Sequence, residues 1–194
     1  MESHQKFIMS NMMEIRKANK SDVDNVLKIQ HLYHVDSVSE RDKEDGFITA
    51  NFTRRILCNL IDEEDSLFIL VENKMVIGYA VICSWSFCSE WPNVSYLIKG
   101  LNSAEIDGTR LSIQNSCQYG PICIHREYRG LNLFEGLFNF CKRMASIKYS
   151  HMVTFINKDN ERSFFAHTQK TNLKCFGQFT ANGKNYYKLA CSVK

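Results

Sequence analysis

The chain has 194 residues, of which 44% are hydrophobic and 23% charged, with a formal net charge of +3 at pH 7. That length suits one domain with a sizeable core, and so small a charge, with no basic stripe interleaved with aromatics, argues against a nucleic-acid partner. No apolar run approaches the roughly 20 residues that span a bilayer, and residues 1–12 are polar and mixed rather than a charged-then-apolar leader, so no membrane partner is expected.

Residues 1–12 are expected to be an amino-terminal tail or arm, and residues 13–194 a single domain. Met13 to Ala18 reads as a first strand, and Ser21 as the N-cap of the helix that follows, with Asp24 three residues on. Between Val38 and Glu64 lie Gly46-Phe47 and a helix expected over Asn51 to Ile61. Leu67 to Glu72 and Val76 to Ser84 read as two strands joined at Asn73-Lys74, a hairpin turn of the Asn-X kind. Ser86 to Asn115 is the least regular stretch. Trp85, Phe87, Trp91 and Tyr96 give it aromatic mass, and Glu90 to Leu101 is expected to be a short helix with Gly100 near its end.

Cys117 to Ile124 is an uncharged apolar run with β-branched residues, as in a strand covered on both faces. It stops at His125-Arg126-Glu127. Arg129-Gly130 then leads into Leu131, Leu133, Phe134, Leu137, Phe138 and Cys141, a helical apolar spacing. His151 to Ile156 reads as another strand, and Asn160 to Ser163 opens a helix carrying His167. Cys175 to Thr180 and Asn185 to Ala190 close the chain as a hairpin around Ala181-Asn182-Gly183-Lys184. The eight cysteines form no Cys-x-x-Cys pair, and no histidine stands at zinc-finger spacing. Reduced core thiols are the expectation, without a metal site or a disulfide framework.

A strand feeding a helix through a short turn gathers free backbone N–H groups at the positive end of the helix dipole. Arg129 adds a full charge there, and the anion that suits such a place is a phosphate or pyrophosphate. Tyr128-Arg-Gly-Leu-Asn-Leu-Phe134 resembles the acyl-CoA pyrophosphate loop of the GNAT N-acetyltransferases. Asn132 and Phe134 stand where that loop usually has small residues. The resemblance extends over residues 13 to 191.

It implies an α/β fold: a central mixed, mostly antiparallel sheet of about seven strands, flanked by helices and splayed between the fourth and fifth strands. The splay often begins at a bulge, for which Gly120-Pro121 is the natural place because Pro121 has no N–H to donate. The implied activity is transfer of the acetyl group of acetyl-CoA, a cosubstrate, to a primary amine. The acceptor would be a small molecule or an amino group of a peptide or protein. A cytoplasmic location and homodimerisation through the closing strands or the amino-terminal arm also follow from the resemblance.

By the same resemblance, the amides of Arg129, Gly130, Leu131, Asn132, Leu133 and Phe134 hold the pyrophosphate. Ile122, Cys123 and Ile124 present backbone to pantetheine and the acetyl carbonyl, and Asn160 and Ser163 contribute to pantetheine binding. His167 stands where many members have the tyrosine that protonates the leaving thiolate, with Tyr119 and Tyr79 as alternative hydroxyl donors. Trp85, Tyr96 and Phe47 are acceptor-pocket candidates. The strand lacks the glutamate that some members use as a base, and His125 is expected to support a turn. An acyl-cysteine route through Cys117 or Cys123 stands against direct attack by the amine in a ternary complex. Asp62 to Asp65 is either a lure for a cationic acceptor or a solvated turn. The alternative function is a non-catalytic acyl-CoA-binding or sensing module on the same fold.

Overall fold

The computed structural model describes residues 13–194, so the arm expected over residues 1–12 lies outside the described residues. In chain order the elements are β1 (Met13–Lys17), α1 (Val23–Tyr33), α2 (Arg54–Asp62), β2 (Leu67–Glu72), β3 (Met75–Cys83), α3 (Trp85–Cys88), α4 (Val94–Lys99), β4 (Ser116–Ile124), α5 (Leu133–Ala145), β5 (His151–Asn157), α6 (Glu161–Gln169), β6 (Lys174–Ala181) and β7 (Lys184–Ser192). The strands form one seven-stranded sheet in the order β1-β2-β3-β4-β5-β7-β6. Every neighbouring pair is antiparallel except β4 and β5. A small separate ribbon, Glu105–Ile106 with Thr109–Arg110, turns at Asp107-Gly108, both with positive φ.

The sheet is covered on both faces. Val23, Val26, Ile29, Leu57 and Leu60 from α1 and α2 pack on one face against Ile69, Tyr79 and Val81. On the other, Leu137, Phe138 and Cys141 from α5 pack against Phe68, Ala80, Cys117 and Leu189. Each large apolar side chain removed from water in this way contributes about 1.5–3 kcal/mol. The hydrophobic spacing of α5 follows directly from this contact: positions three and four apart share the buried stripe.

Local chemistry sets the element ends, in places differently from the sequence expectation. Asn19, not Ser21, caps the turn before α1: its side chain accepts from Ser21 N–H, and Asp22 returns the bond to Asn19 N–H at 2.8 Å, a reciprocal box. Asp22 is further clamped by Arg16 at 2.8 Å. Thr53 caps α2, which therefore starts three residues later than expected. The helix expected over 90–101 is the shorter α4, which starts after Pro92, and an additional short helix, α3, capped by Ser84, precedes that range. Asn73 and Lys74 both take positive φ, the I′ geometry that a two-residue hairpin needs.

The acidic run 62–65 is absorbed by the fold. Lys20 reaches Asp62 at 2.9 Å, Lys17 pairs with Asp65, and Glu64 accepts from Ser84 N–H and Oγ–H at 2.8 Å each.

Candidate active site

Strands β4 and β5 pair over only three residues, Ser116 to Gln118 with His151 to Val153. Beyond Gln118 they part. The cause lies in β4: Ala80 faces Ile122 while Ile82 faces Tyr119, so Gly120 and Pro121 together oppose one residue of β3. This is the bulge expected at that position. Gly120 sits at φ +100°, a backbone angle that glycine adopts freely. Amides alternate sides along an antiparallel strand. His125 N–H is on Ile77 O of β3 at 2.8 Å, so the amides of Ile124 and Ile122 point away from β3 into the gap.

Two cavities open on this gap. The first, about 430 Å³, runs from the β4–α5 loop to α6 and is lined by Arg129, Gly130, Asn132, Leu133 and Phe134 among others. The second, about 230 Å³, lies between the 47–56 segment, the Trp91–Val94 turn and the splayed strands. They share Phe47, Ile48, Ile122, Ser163 and His167. A group held in the first cavity therefore meets a group held in the second at Ile122 and His167.

The loop has the geometry of an anion cradle. Gly130 takes φ +84° and Asn132 takes φ +58° with no side-chain capping bond. The helix's own ladder starts at Gly136 N–H on Asn132 O, 3.3 Å, which leaves the first-turn amides of α5 to the cavity. Arg162 and Lys170 add positive charge to its wall, opposed by Asp45 and Glu135. Arg162 Nη1 lies 3.1 Å from Asp45 Oδ1, and Lys170 Nζ lies 3.6 Å from Glu135 Oε1.

Arg129 departs from its expected role as a free cation. Its Nε donates to Ile124 O at 2.9 Å, its Nη1 donates to Asp45 O, and the guanidinium lies 4.8 Å from the centre of the Tyr33 ring. Burial lowers its pKa. It binds the end of β4 to the 45–48 segment, and its amide is committed to Arg126 O at 3.1 Å. Leu131 is 58% exposed and lines neither cavity.

Asn160 is also spent on the fold. Its Oδ1 caps α6 by accepting from Ser163 N–H at 3.2 Å, and its Nδ2 donates to Phe47 O at 2.6 Å. The pair holds Phe47 and Ser163 at the junction of the cavities. His167 is buried there, with Phe134 edge-on at 5.0 Å between centroids. Its Nδ1 lies 2.6 Å from Ser163 O. A carbonyl only accepts, so Nδ1 carries the hydrogen and Nε2 the lone pair. Burial lowers the His167 pKa to about 4, so the imidazole is neutral at pH 7.

Four sequence candidates lie elsewhere. Tyr119 is in the core between Phe138 and His167, its hydroxyl buried with no hydrogen-bond partner among the described residues, and it lines neither cavity. Trp85 is buried with Nε1–H on Ser116 Oγ at 3.1 Å, and Tyr96 stacks on Phe179 outside the cavities. Tyr79 is likewise a core residue. Tyr33, Asp45, Arg162 and Thr154 line the cavities and were not singled out from the sequence. Only Arg162, one residue before Ser163 at a helix start, carried a local hint.

Burial raises the thiol pKa of Cys123 to about 12 and that of Cys117 well above its ordinary range. Among the described residues, no group of three or more His, Cys, Asp or Glu is arranged to hold a metal, and no helix is long and apolar enough to cross a membrane.

No protein-family profile and no curated protein matches the sequence. Solved structures do match its fold. An N-acetyltransferase from Staphylococcus aureus Mu50 superposes with TM-score 0.63 at 20% identity, covering 94% of this chain and 99% of its own. The protein yncA of Salmonella typhimurium, solved with its cofactor acetyl-CoA, gives 0.63 at 15% identity over 94% of each chain. An acetyltransferase of the GNAT family from Streptococcus pneumoniae gives 0.60 at 12% identity over 94% of this chain and all of its own, 100%. At such identities the likeness is one of architecture, and that architecture is the fold of the GNAT N-acetyltransferases.

Proposed function

We propose that this protein is an N-acetyltransferase that moves the acetyl group of acetyl-CoA to a primary amine by direct attack in a ternary complex. The observation that carries the reading is the meeting of two cavities at the splay of β4 and β5. One presents helix-end amides and the cations Arg162 and Lys170, and the other is open to a second molecule.

Acetyl-CoA supplies an activated acyl group as a thioester. The first-turn amides of α5 and the two cations bind its phosphates. The gap-facing amides of Ile122 and Ile124 take the place of a paired strand for its pantetheine and bond the carbonyl oxygen, where charge develops. Neutral His167 accepts on Nε2 the proton that the attacking amine sheds, and returns it to the departing sulfur. The C–N bond forms, the C–S bond breaks, and the products are an amide and a free thiol. The raised thiol pKa values of Cys117 and Cys123 disfavour an acyl-cysteine route, because the thiol form is a poor nucleophile.

The test is a thermal-shift titration with acetyl-CoA followed by acceptor-dependent thiol release. Saturable stabilisation and amine-dependent release are expected. Stabilisation with no release for any amine, amino acid or peptide would favour the non-catalytic acyl-CoA module. No stabilisation would overturn acyl-CoA binding altogether.

A further inference from the structure

The second cavity has a chemical character of its own. Among the described residues, none of those lining it is Asp, Glu, Lys or Arg. Its only titratable wall residue is His167, neutral at pH 7. Four aromatic side chains, Phe47, Phe52, Trp91 and Phe155, line it beside several aliphatic ones. Phe52 and Trp91 are in ring contact at 4.7 Å between centroids. Phe155 continues outward through edge contacts with Phe179 at 5.8 Å and Tyr186 at 5.6 Å. The polar groups present are uncharged carboxamides and hydroxyls, among them Gln118, Asn157 and Thr154.

A charged group entering this space loses its hydration without meeting a counter-charge, a loss of several kcal/mol for an unpaired ion. An aromatic or aliphatic body gains instead by burial against the rings. The same surroundings favour the reactive form of the acceptor, because burial disfavours ammonium relative to free amine. At about 230 Å³ the space is below the 300–1,000 Å³ typical of drug-sized ligands.

Resting on the acetyltransferase reading, we infer that the acceptor is a small primary amine with an aromatic or aliphatic body and no second charged group. Amino acids with a free carboxylate, polyamines and aminoglycoside-like polycations are disfavoured.

Two measurements test this. The first is thiol release from acetyl-CoA with 2-phenylethylamine, phenylalanine, spermidine and kanamycin as acceptors. The second is tryptophan fluorescence during titration with 2-phenylethylamine, in wild type and Trp91→Phe. The expected result is a kcat/KM for 2-phenylethylamine at least about tenfold above the other three, roughly the discrimination of one uncompensated interaction. A saturable fluorescence change that Trp91→Phe removes is also expected. Asn51→Asp, at the exposed rim of the cavity, should shift preference toward spermidine.

Preference for phenylalanine, spermidine or kanamycin would overturn the inference and leave the acetyltransferase reading standing. So would faster transfer from hexanoyl-CoA than from acetyl-CoA, which would give the space to an acyl chain. Acetyl-CoA binding with neither turnover nor a fluorescence change for any of these amines would also overturn it. Absence of acetyl-CoA binding would overturn the reading beneath it.

Discussion

His167 is the side chain on which the proposed chemistry turns, and its state is set by one hydrogen bond and by burial. The Ser163 carbonyl fixes the tautomer at 2.6 Å, and burial holds the pKa near 4. The same burial makes the folded protein acid-sensitive. The unfolded chain binds a proton near the ordinary histidine value of about 6.5, whereas the folded chain resists it down to about 4. The contribution is therefore fully present above about pH 6.5 and is lost as pH falls toward 4, by an amount on the order of 3 kcal/mol. Urea titrations between pH 7 and 4 should show this slope, and His167→Gln should flatten it while lowering kcat by about 10²-fold or more. A wild-type slope unchanged in His167→Gln would mean that His167 titrates normally.

Glu135 is a carboxylate placed where an anion is proposed to bind. Its Oε1 faces Lys170, and its Oε2 is buried with no hydrogen-bond partner among the described residues, in the cavity that is proposed to receive phosphates. Glu135→Gln should tighten acetyl-CoA binding a few-fold, on the scale of about 0.5–1 kcal/mol for one repulsive charge. Calorimetry with CoA and acetyl-CoA measures it, and weaker binding would show that Glu135 serves the site rather than opposing it.

Two elements owe their form to single backbone positions. The bulge in β4 needs positive φ at Gly120, and an added Cβ would also meet Thr154 Oγ1 at 3.4 Å. Gly120→Ala should destabilise by about 1–2 kcal/mol through the left-handed backbone alone, read as a lower urea midpoint with unchanged slope. At the entrance to α5, Asn132 holds φ +58°. Asn132→Gly should keep stability and acetyl-CoA affinity close to wild type, while Asn132→Val should lose about 1 kcal/mol or more and weaken binding. Equal behaviour of the two variants would show that the loop does not depend on this backbone state.

These elements also show what was legible locally. The bulge could be anticipated because a proline inside an otherwise central strand has no donor for its neighbour. The loop could be anticipated because strand, turn and helix were each marked in order. The contacts of the Arg129 side chain were not legible for the same local reason. Nothing near it in sequence shows that Tyr33 and Asp45, more than 80 residues earlier, wrap its guanidinium.

For the whole molecule, the acyl-CoA binding proposed at the two cavities would be a stability event. A ligand that binds only the folded state should stabilise it by about 2.7 kcal/mol at a hundred times its dissociation constant. The gain should shrink as salt is raised, since Arg162 is half-exposed and open to screening. A salt-independent shift would place binding energy in apolar contacts instead.

The sequence alone determined the order and type of the main elements, the bulge and the turn from β4 into α5, because each is written in residues adjacent along the chain: period, proline, cap and turn. Only the tertiary structure decided which side chains share a cavity. It withdrew Tyr119, Trp85 and Tyr96 into packing, spent Asn160 and Arg129 on holding segments together, and brought Phe47, Trp91, Thr154 and His167 to one gap. Those positions lie 13 to 120 residues apart in sequence. What joins them is the parting of two parallel strands, and no local pattern records which side chains a gap between distant strands will collect.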